Sequence, residues 1–225
     1  EEETILDSRF LMNPPLAVEQ AKKETIHMAH LACENYSLSK KAVLESDFSI
    51  EEKLRANENQ IDAYESNIGR YLMSIVDEDL STADSKKTSN LFHVLIDIER
   101  IGDRCLNMFN IAKEMHGDGV IISDKARESL SAMINAVGEI LLLAVKCYDE
   151  MDIEISHKIT TYENVIDEMR QRMRMGHLNR MAHQECGLDA AIVYLDMTGN
   201  LERISDHCAN IATSVEQLMS EKPNF

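Results

Sequence analysis

Apolar positions recur at three- and four-residue intervals over six long stretches of this chain, the pattern of amphipathic helices. Asn13-Pro14-Pro15 separates the first dozen residues from the rest of the chain, since proline lacks the N–H that a continuing helix needs. From Leu16 the pattern is helical to about Ser46. Ser49-Ile50-Glu51-Glu52 has capping-box spacing and opens a second helix to about Val76, with Leu54, Ile61, Ile68, Leu72 and Ile75 as its apolar stripe. Ser81-Thr82-Ala83-Asp84 predicts another cap. The helix behind it reaches about Met115 and carries Leu91, Leu95, Ile98, Gly102 and Cys105 on one face. Gly117-Asp118-Gly119 stops that helix and is the clearest boundary in the chain. Three more helices are predicted over about 124–150, 153–182 and 187–219, with Gly187 marking the last break.

The two halves read as copies. Glu99-Arg100-Ile101-Gly102-Asp103-Arg104-Cys105-Leu106-Asn107 matches Glu202-Arg203-Ile204-Ser205-Asp206-His207-Cys208-Ala209-Asn210 at six of nine positions, 103 residues apart. Upstream, Glu58-Asn59-Gln60-Ile61-Asp62 aligns with Glu163-Asn164-Val165-Ile166-Asp167 at an offset of 105. A period near 100 residues is too long for a solenoid unit and suits a three-helix bundle. The expected architecture is all-α: two tandem three-helix bundles of up-down helices, spanning 16–117 and 120–220, behind an N-terminal linker segment, 1–15.

Composition agrees. Three Pro, eight Gly, no Trp and eleven Phe plus Tyr in 225 residues disfavour a sandwich, a barrel or a dinucleotide-binding sheet. Forty acidic against 23 basic residues give a net charge of -17, which repels nucleic acid and anionic membrane surfaces and attracts cations. The five cysteines are odd in number and form no C-x-x-C pair, which points to a reducing compartment. The densest apolar run, Ile140 to Val145, lies between Glu139 and Lys146 and reads as a buried helix segment rather than a bilayer-inserting one. The chain opens Glu1-Glu2-Glu3 without Met, which fits a piece of a longer polypeptide. Glycine-rich phosphate loops and serine- or zinc-hydrolase motifs are missing, so a binding or regulatory module is expected rather than an enzyme.

Forty acids give about seven acid-x-x-x-acid pairs by independent placement, so a single pair carries little. What carries weight is recurrence in register: Glu58/Asp62 with Glu99/Asp103, then Glu163/Asp167 with Glu202/Asp206. Spacing i,i+4 stacks both carboxylates on one helix face, where like charges repel. On a helical wheel Glu99 lies near Phe92, Leu95 and Leu106, and Glu202 near Leu195, Thr198 and Ala209, so these acids edge the buried stripe. Crowded, partly buried carboxylates need a compensating cation, and facing helices that each supply acids build multinuclear metal sites. All-oxygen donors suit magnesium, manganese, ferric iron or calcium. The competing reading keeps the acids as solubilising groups paired with Arg100, Arg104, Arg170 and Arg203. Asn107 and Asn210 either orient a carboxylate or flank it as ordinary polar residues.

His27 and His30 read as surface residues. His177 and His183, beside Arg172, Arg174 and Arg180, form the one basic cluster of note, fit either to hold an anion or to compensate a helix end. Cys105 and Cys208 read as core packing, and Met169, Met173, Met175, Met181 and Met197 as adaptable core or an inter-helix surface. A di-iron carboxylate enzyme would place E-x-x-H motifs among its acids; Glu24 to His27 has that spacing but is read as standing alone, which weakens that reading.

The doubled Glu-Arg-Ile-Gly/Ser-Asp motif, with the upstream Glu-x-x-x-Asp pair, resembles PhoU-like proteins over nearly the whole chain. The opening Leu6-Asp7-Ser8-Arg9-Phe10-Leu11, with Pro14-Pro15, Ala17, Ala21 and Glu24, resembles the segment that joins the membrane part of bacterial sodium/phosphate cotransporters to a carboxy-terminal PhoU-like domain. The resemblance implies multinuclear iron, or zinc, manganese or nickel, held by Glu99, Asp103, Glu202 and Asp206, and then by Glu58, Asp62, Glu163 and Asp167. It implies a non-catalytic domain acting on phosphate uptake from the cytoplasmic side of the membrane, as part of a longer membrane protein. Its implied partners are the membrane-embedded transporter portion and, in a homodimer, a second copy. A standalone PhoU-like regulator and a metal-free helical scaffold are the alternatives. The chain departs from the family where a Pro-x-x-x-Asp-Leu-Arg stretch usually opens the third helix: Asp79 to Lys86 and His183 to Gly187 stand there instead, and Ser205 replaces the motif glycine.

Overall fold

A computed structural model describes residues 6–76, 80–183 and 187–220. Among the described residues six long helices make up the fold: α1 (Pro14–Glu45), α2 (Glu51–Val76), α3 (Thr82–Gly117), α4 (Asp124–Glu150), α5 (Ile153–Ala182) and α6 (Leu188–Met219). A 3-10 helix, Ser8–Met12, precedes them. The six predicted helices are present, and the differences at their ends have local causes. Helix α1 starts at Pro14 rather than Leu16, because proline in the first turn gives up only an N–H that would be unpaired anyway. The Ser49 hydroxyl donates to Asp47 Oδ1 at 2.6 Å instead of forming a capping box, so α2 starts at Glu51. Ser81 does cap α3, accepting from Asp84 N at 3.1 Å. Gly119, at φ +65, turns the chain into the second half.

The duplication extends to backbone detail. Ser46 and Met151, 105 residues apart, end α1 and α4 at φ 55 and 53. Asp47 and Asp152 come next, and each accepts from the N–H two residues on, Ser49 at 3.0 Å and Glu154 at 2.8 Å. Offset 105 therefore holds across α1/α4 and α2/α5, and 103 across α3/α6.

Within each half the first, second and third helices pack on one another, and the halves join where α3 lies against α6 and α1 against α4. One continuous core results, from Ala17 through Ile101 and Ile140 to Val215. The α1–α4 crossing is closed by Tyr36, whose hydroxyl donates to the Ile134 carbonyl at 2.6 Å. Its ring lies where a Cβ on Gly138 would come within 3.1 Å. Ser39 donates to the Cys105 carbonyl at 2.7 Å, and Asn90 to the Ser214 carbonyl at 2.9 Å, tying α1 to α3 and α3 to α6. The segment before α1 is anchored: Phe10 and Leu11 pack on the core, and Tyr71 donates to the Asp7 carbonyl at 3.1 Å. By length and composition α4 could cross a membrane, but half of its most apolar 18 residues are buried in the bundle.

The Tyr36 contact has a measurable weight. Tyr36→Phe should lower stability by about 1 kcal/mol through the lost hydrogen bond. Tyr36→Ala should lower it by about 3–5 kcal/mol through the cavity left between the halves. Urea midpoints measure both, and equal midpoints for the two variants would show that the halves do not depend on this ring.

Candidate functional site

The repeated acids fall into two clusters, one between α2 and α3 and one between α5 and α6, because each helix carries its pair on a single face. They differ in depth. In the first, Glu58 is buried, its side chain over Gly102, where an added Cβ would meet Glu58 Oε2 at 3.1 Å and Ile61 Cδ1 at 3.2 Å. Asn35 reaches in from α1 and donates to Glu58 Oε2 and to the Leu54 carbonyl, both at 3.3 Å. Burial, then the neighbouring Asp62 and Asp103 charges, push the Glu58 carboxyl up to about 7 against the pull of Asn35. Glu99 is held up by burial and Asp103, while Arg100 opposes the shift from 3.5 Å. Arg100 also reaches Asp103 at 3.7 Å.

In the second cluster a serine fills the place of Gly102. Ser205 is fully buried and its hydroxyl has no hydrogen-bond partner. Ile140 stands where the first half has Asn35. Glu163 accordingly lies at intermediate depth, and it gathers with Asp167 and Asp206 so that one carboxylate oxygen of each lies within 4.8 Å of the others. All three sit in one local field: burial first, then Asp167 and Asp206, raise the Glu163 carboxyl, and burial with Asp167 raises Asp206. Asp167 Oδ1 is buried without a hydrogen-bond partner. Glu202, expected in the same set, is instead ion-paired with Arg170, which stands where the first half has Glu65.

The reading of the acids as arginine-paired groups thus holds for part of the set. Arg100 and Arg170 pair with motif acids, while Arg104 is half-buried with its Nε unpartnered. Asn210 does not orient Asp206; it donates to Asp97 Oδ1 at 3.1 Å. Asp97 does not stand out by its spacing, yet it is buried between α3 and α6 and also contacts His207 Nδ1 at 2.8 Å. His207 therefore belongs to the joint between the halves. Glu24 is buried 3.7 Å from His27, remote in sequence from the motif acids. Glu154 and His157 share its spacing, a pair missed among the sequence motifs, and both are exposed near the start of α5. Burial raises the thiols of Cys105 and Cys208 well above their ordinary value, as befits inert core residues.

The PhoU domain family model matches residues 25–113 and 130–215, one match for each half. A Thermotoga maritima protein, described as phosphate-specific transport system accessory protein PhoU homolog 1, is 29% identical over 80% of this chain and 72% of its own length. An Escherichia coli O157:H7 protein, described as putative inorganic phosphate export protein YjbB, is 21% identical over 93% of this chain but only 39% of its own length. The crystal structure of PhoU from Pseudomonas aeruginosa superimposes with a TM-score of 0.84 at 20% identity, covering 91% of this chain and 97% of that one. At that identity the likeness speaks for the fold.

The raised Glu58 carboxyl links stability to pH. A carboxyl whose folded pKa exceeds its unfolded value binds more protons folded than unfolded, so stability falls as pH rises from the ordinary carboxyl value of 4.5 through about 7. Glu58→Gln removes the penalty. In chelator-treated protein the variant should be more stable than the parent by about 1–2 kcal/mol near pH 8, after allowance for solvent screening. The gap should close near pH 4. A gap independent of pH in urea unfolding would show that Glu58 titrates normally.

Proposed function

We propose that this chain, which belongs to the PhoU domain family, is a non-catalytic regulator of phosphate transport that acts at the cytoplasmic face of a membrane transporter. The observation that carries the reading is the family match across both halves, each with its own carboxylate cluster and with relatives described as accessory proteins of phosphate transport. Deleting the chain in its own cell should change the rate of radiolabelled phosphate uptake at least twofold, and restoring it should reverse the change. Uptake and its response to phosphate starvation that stay unchanged would end this reading.

The acids are read as metal ligands. In the second half Glu163, Asp167 and Asp206 would hold the ion, and the orphaned Asp167 Oδ1 is a donor position that protein groups leave open. In the first half Glu58, Asp62, Glu99 and Asp103 would do so, with Asn35 orienting Glu58. Oxygen donors alone favour iron(III) or manganese among the metals the resemblance implies, over zinc or nickel. A bound cation supplies the charge that lets these acids ionise together. Arg170 already does so for Glu202, which leaves the second site one carboxylate short of the first. Protein purified without chelator should carry metal by elemental analysis. Asp167→Asn with Asp206→Asn should remove the second-half share, and Glu99→Ala with Asp103→Ala the first. Wild-type protein that carries none and takes up none from iron or manganese would refute the metal reading and leave the regulatory one standing.

A second reading makes the chain a regulatory domain within a longer sodium-coupled phosphate transporter. It is supported by the opening segment's likeness to the joint in such proteins and by the phosphate-export relative, of which this chain matches a minor part. Membrane spans encoded in the same reading frame would decide for it.

A further inference from the structure

The register between the halves breaks at one end of the second. Along α2 and α5, Leu54, Ile61 and Ile68 correspond to Ile159, Ile166 and Met173, all buried and apolar. The next two positions inward correspond as Leu72 with His177 and Ile75 with Arg180, and on the third helices Leu91 corresponds to Tyr194. Leu72, Ile75 and Leu91 are core residues, so the fold itself asks for nothing polar there. His177 is 1% exposed, and its Nε2 has no hydrogen-bond partner. Arg180 Nη2 is also buried without one. Such groups are costly to leave unmatched.

They are also fixed in place. His177 stacks on Tyr194 at 5.2 Å and 27°, and the Arg180 guanidinium lies over the same ring at 5.8 Å. Both line a cleft of about 70 Å³ with Ser123 and Gly187, the N-caps of α4 and α6. A single water needs roughly 10–15 Å³ of such space, so the cleft admits a small ion and little more. Two helix starts turn their positive dipole ends toward it. The first-turn acids Asp124 and Asp189 are exposed. Burial, and then the Arg180 charge, lower the His177 pKa, a strain that an anion between the two would relieve.

We propose that this cleft binds a small tetrahedral oxyanion of the size of inorganic phosphate, through Arg180 and His177. His177 lies ten residues beyond Asp167 on α5, about 15 Å along the helix, so the site is separate from the carboxylate clusters. It does not depend on the metal reading.

Calorimetric titration with inorganic phosphate, with chelator present to silence any metal-bridged phosphate, tests it. Saturable binding is expected in the wild type, with sulfate competing and chloride not. His177→Leu and Arg180→Ile install the residues of the first half, and each should weaken binding at least tenfold with helicity unchanged. O-Phosphoserine should bind at least tenfold more weakly than the free ion, and equal or tighter binding would overturn the assignment to a free oxyanion. In unsubstituted protein the His177 ring resonances should move along the same titration curve. No saturable phosphate binding, a His177 signal that stays still, or undiminished affinity in both variants would each overturn the proposal.

Discussion

Helices α3 and α6 lie against each other, and each is enclosed by the two other helices of its own half. That placement decides what every face of a motif helix can do. Gly102 must be small because Glu58 and Ile61 of α2 lie where its Cβ would be, at 3.1 and 3.2 Å. Asp97 is caught at the α3–α6 joint, where His207 and Asn210 satisfy it. The flank turned toward α2 or α5 is where the Glu-x-x-x-Asp pairs meet a second pair, with Glu58 buried and Asp206 exposed. The clusters are therefore a consequence of the central packing: carboxylates are brought together because the helices that carry them are held there by apolar contact.

Within that frame the halves have diverged through single atoms and single residues. An absent Cβ at Gly102 gives Glu58 room to tuck inward, where Asn35 supplies an amide donor and the dry surroundings favour the protonated acid. In the second half the Ser205 side chain takes that space and Ile140 offers no donor. The corresponding acids stay closer to solvent, and Arg170 ties up one of them. The deep cluster therefore keeps a proton on Glu58 to higher pH than an ordinary carboxyl would.

Element type and ends were legible in the sequence because caps, prolines and glycines act locally: Ser81 caps as its spacing suggests, and Gly119 turns where it is read to turn. Duplication in register also marked acids that gather between paired helices, while Glu202 pairs with Arg170 instead. What could not be read was sidedness between halves. Asp97 looks like one more acid beside Glu99 until α6 is seen to bury it. His207 looks like a lapse from the Arg104 pattern until its ring is found on Asp97. The Ser49 box failed because Asp47, two residues earlier, captured the hydroxyl first.

Duplication explains how a chain of net charge -17 can keep a half-buried cationic group, Arg180. A three-helix unit has two ends and one acidic flank, and two copies give the protein two of each. The first copy closes its end with apolar side chains, Leu72, Ile75 and Leu91, beside the anchored segment before α1. The second copy has His177, Arg180 and Tyr194 at those same three positions, while its helices still supply core residues such as Ile134, Val137 and Ile166. The nearby acids Asp124 and Asp189 stand in solvent. Screening by water weakens their field over a Debye length of about 8–10 Å, while the contacts inside the cleft act at hydrogen-bond range in a drier medium. Net charge thus describes what the surface repels, and the local donor set decides what one cleft accepts.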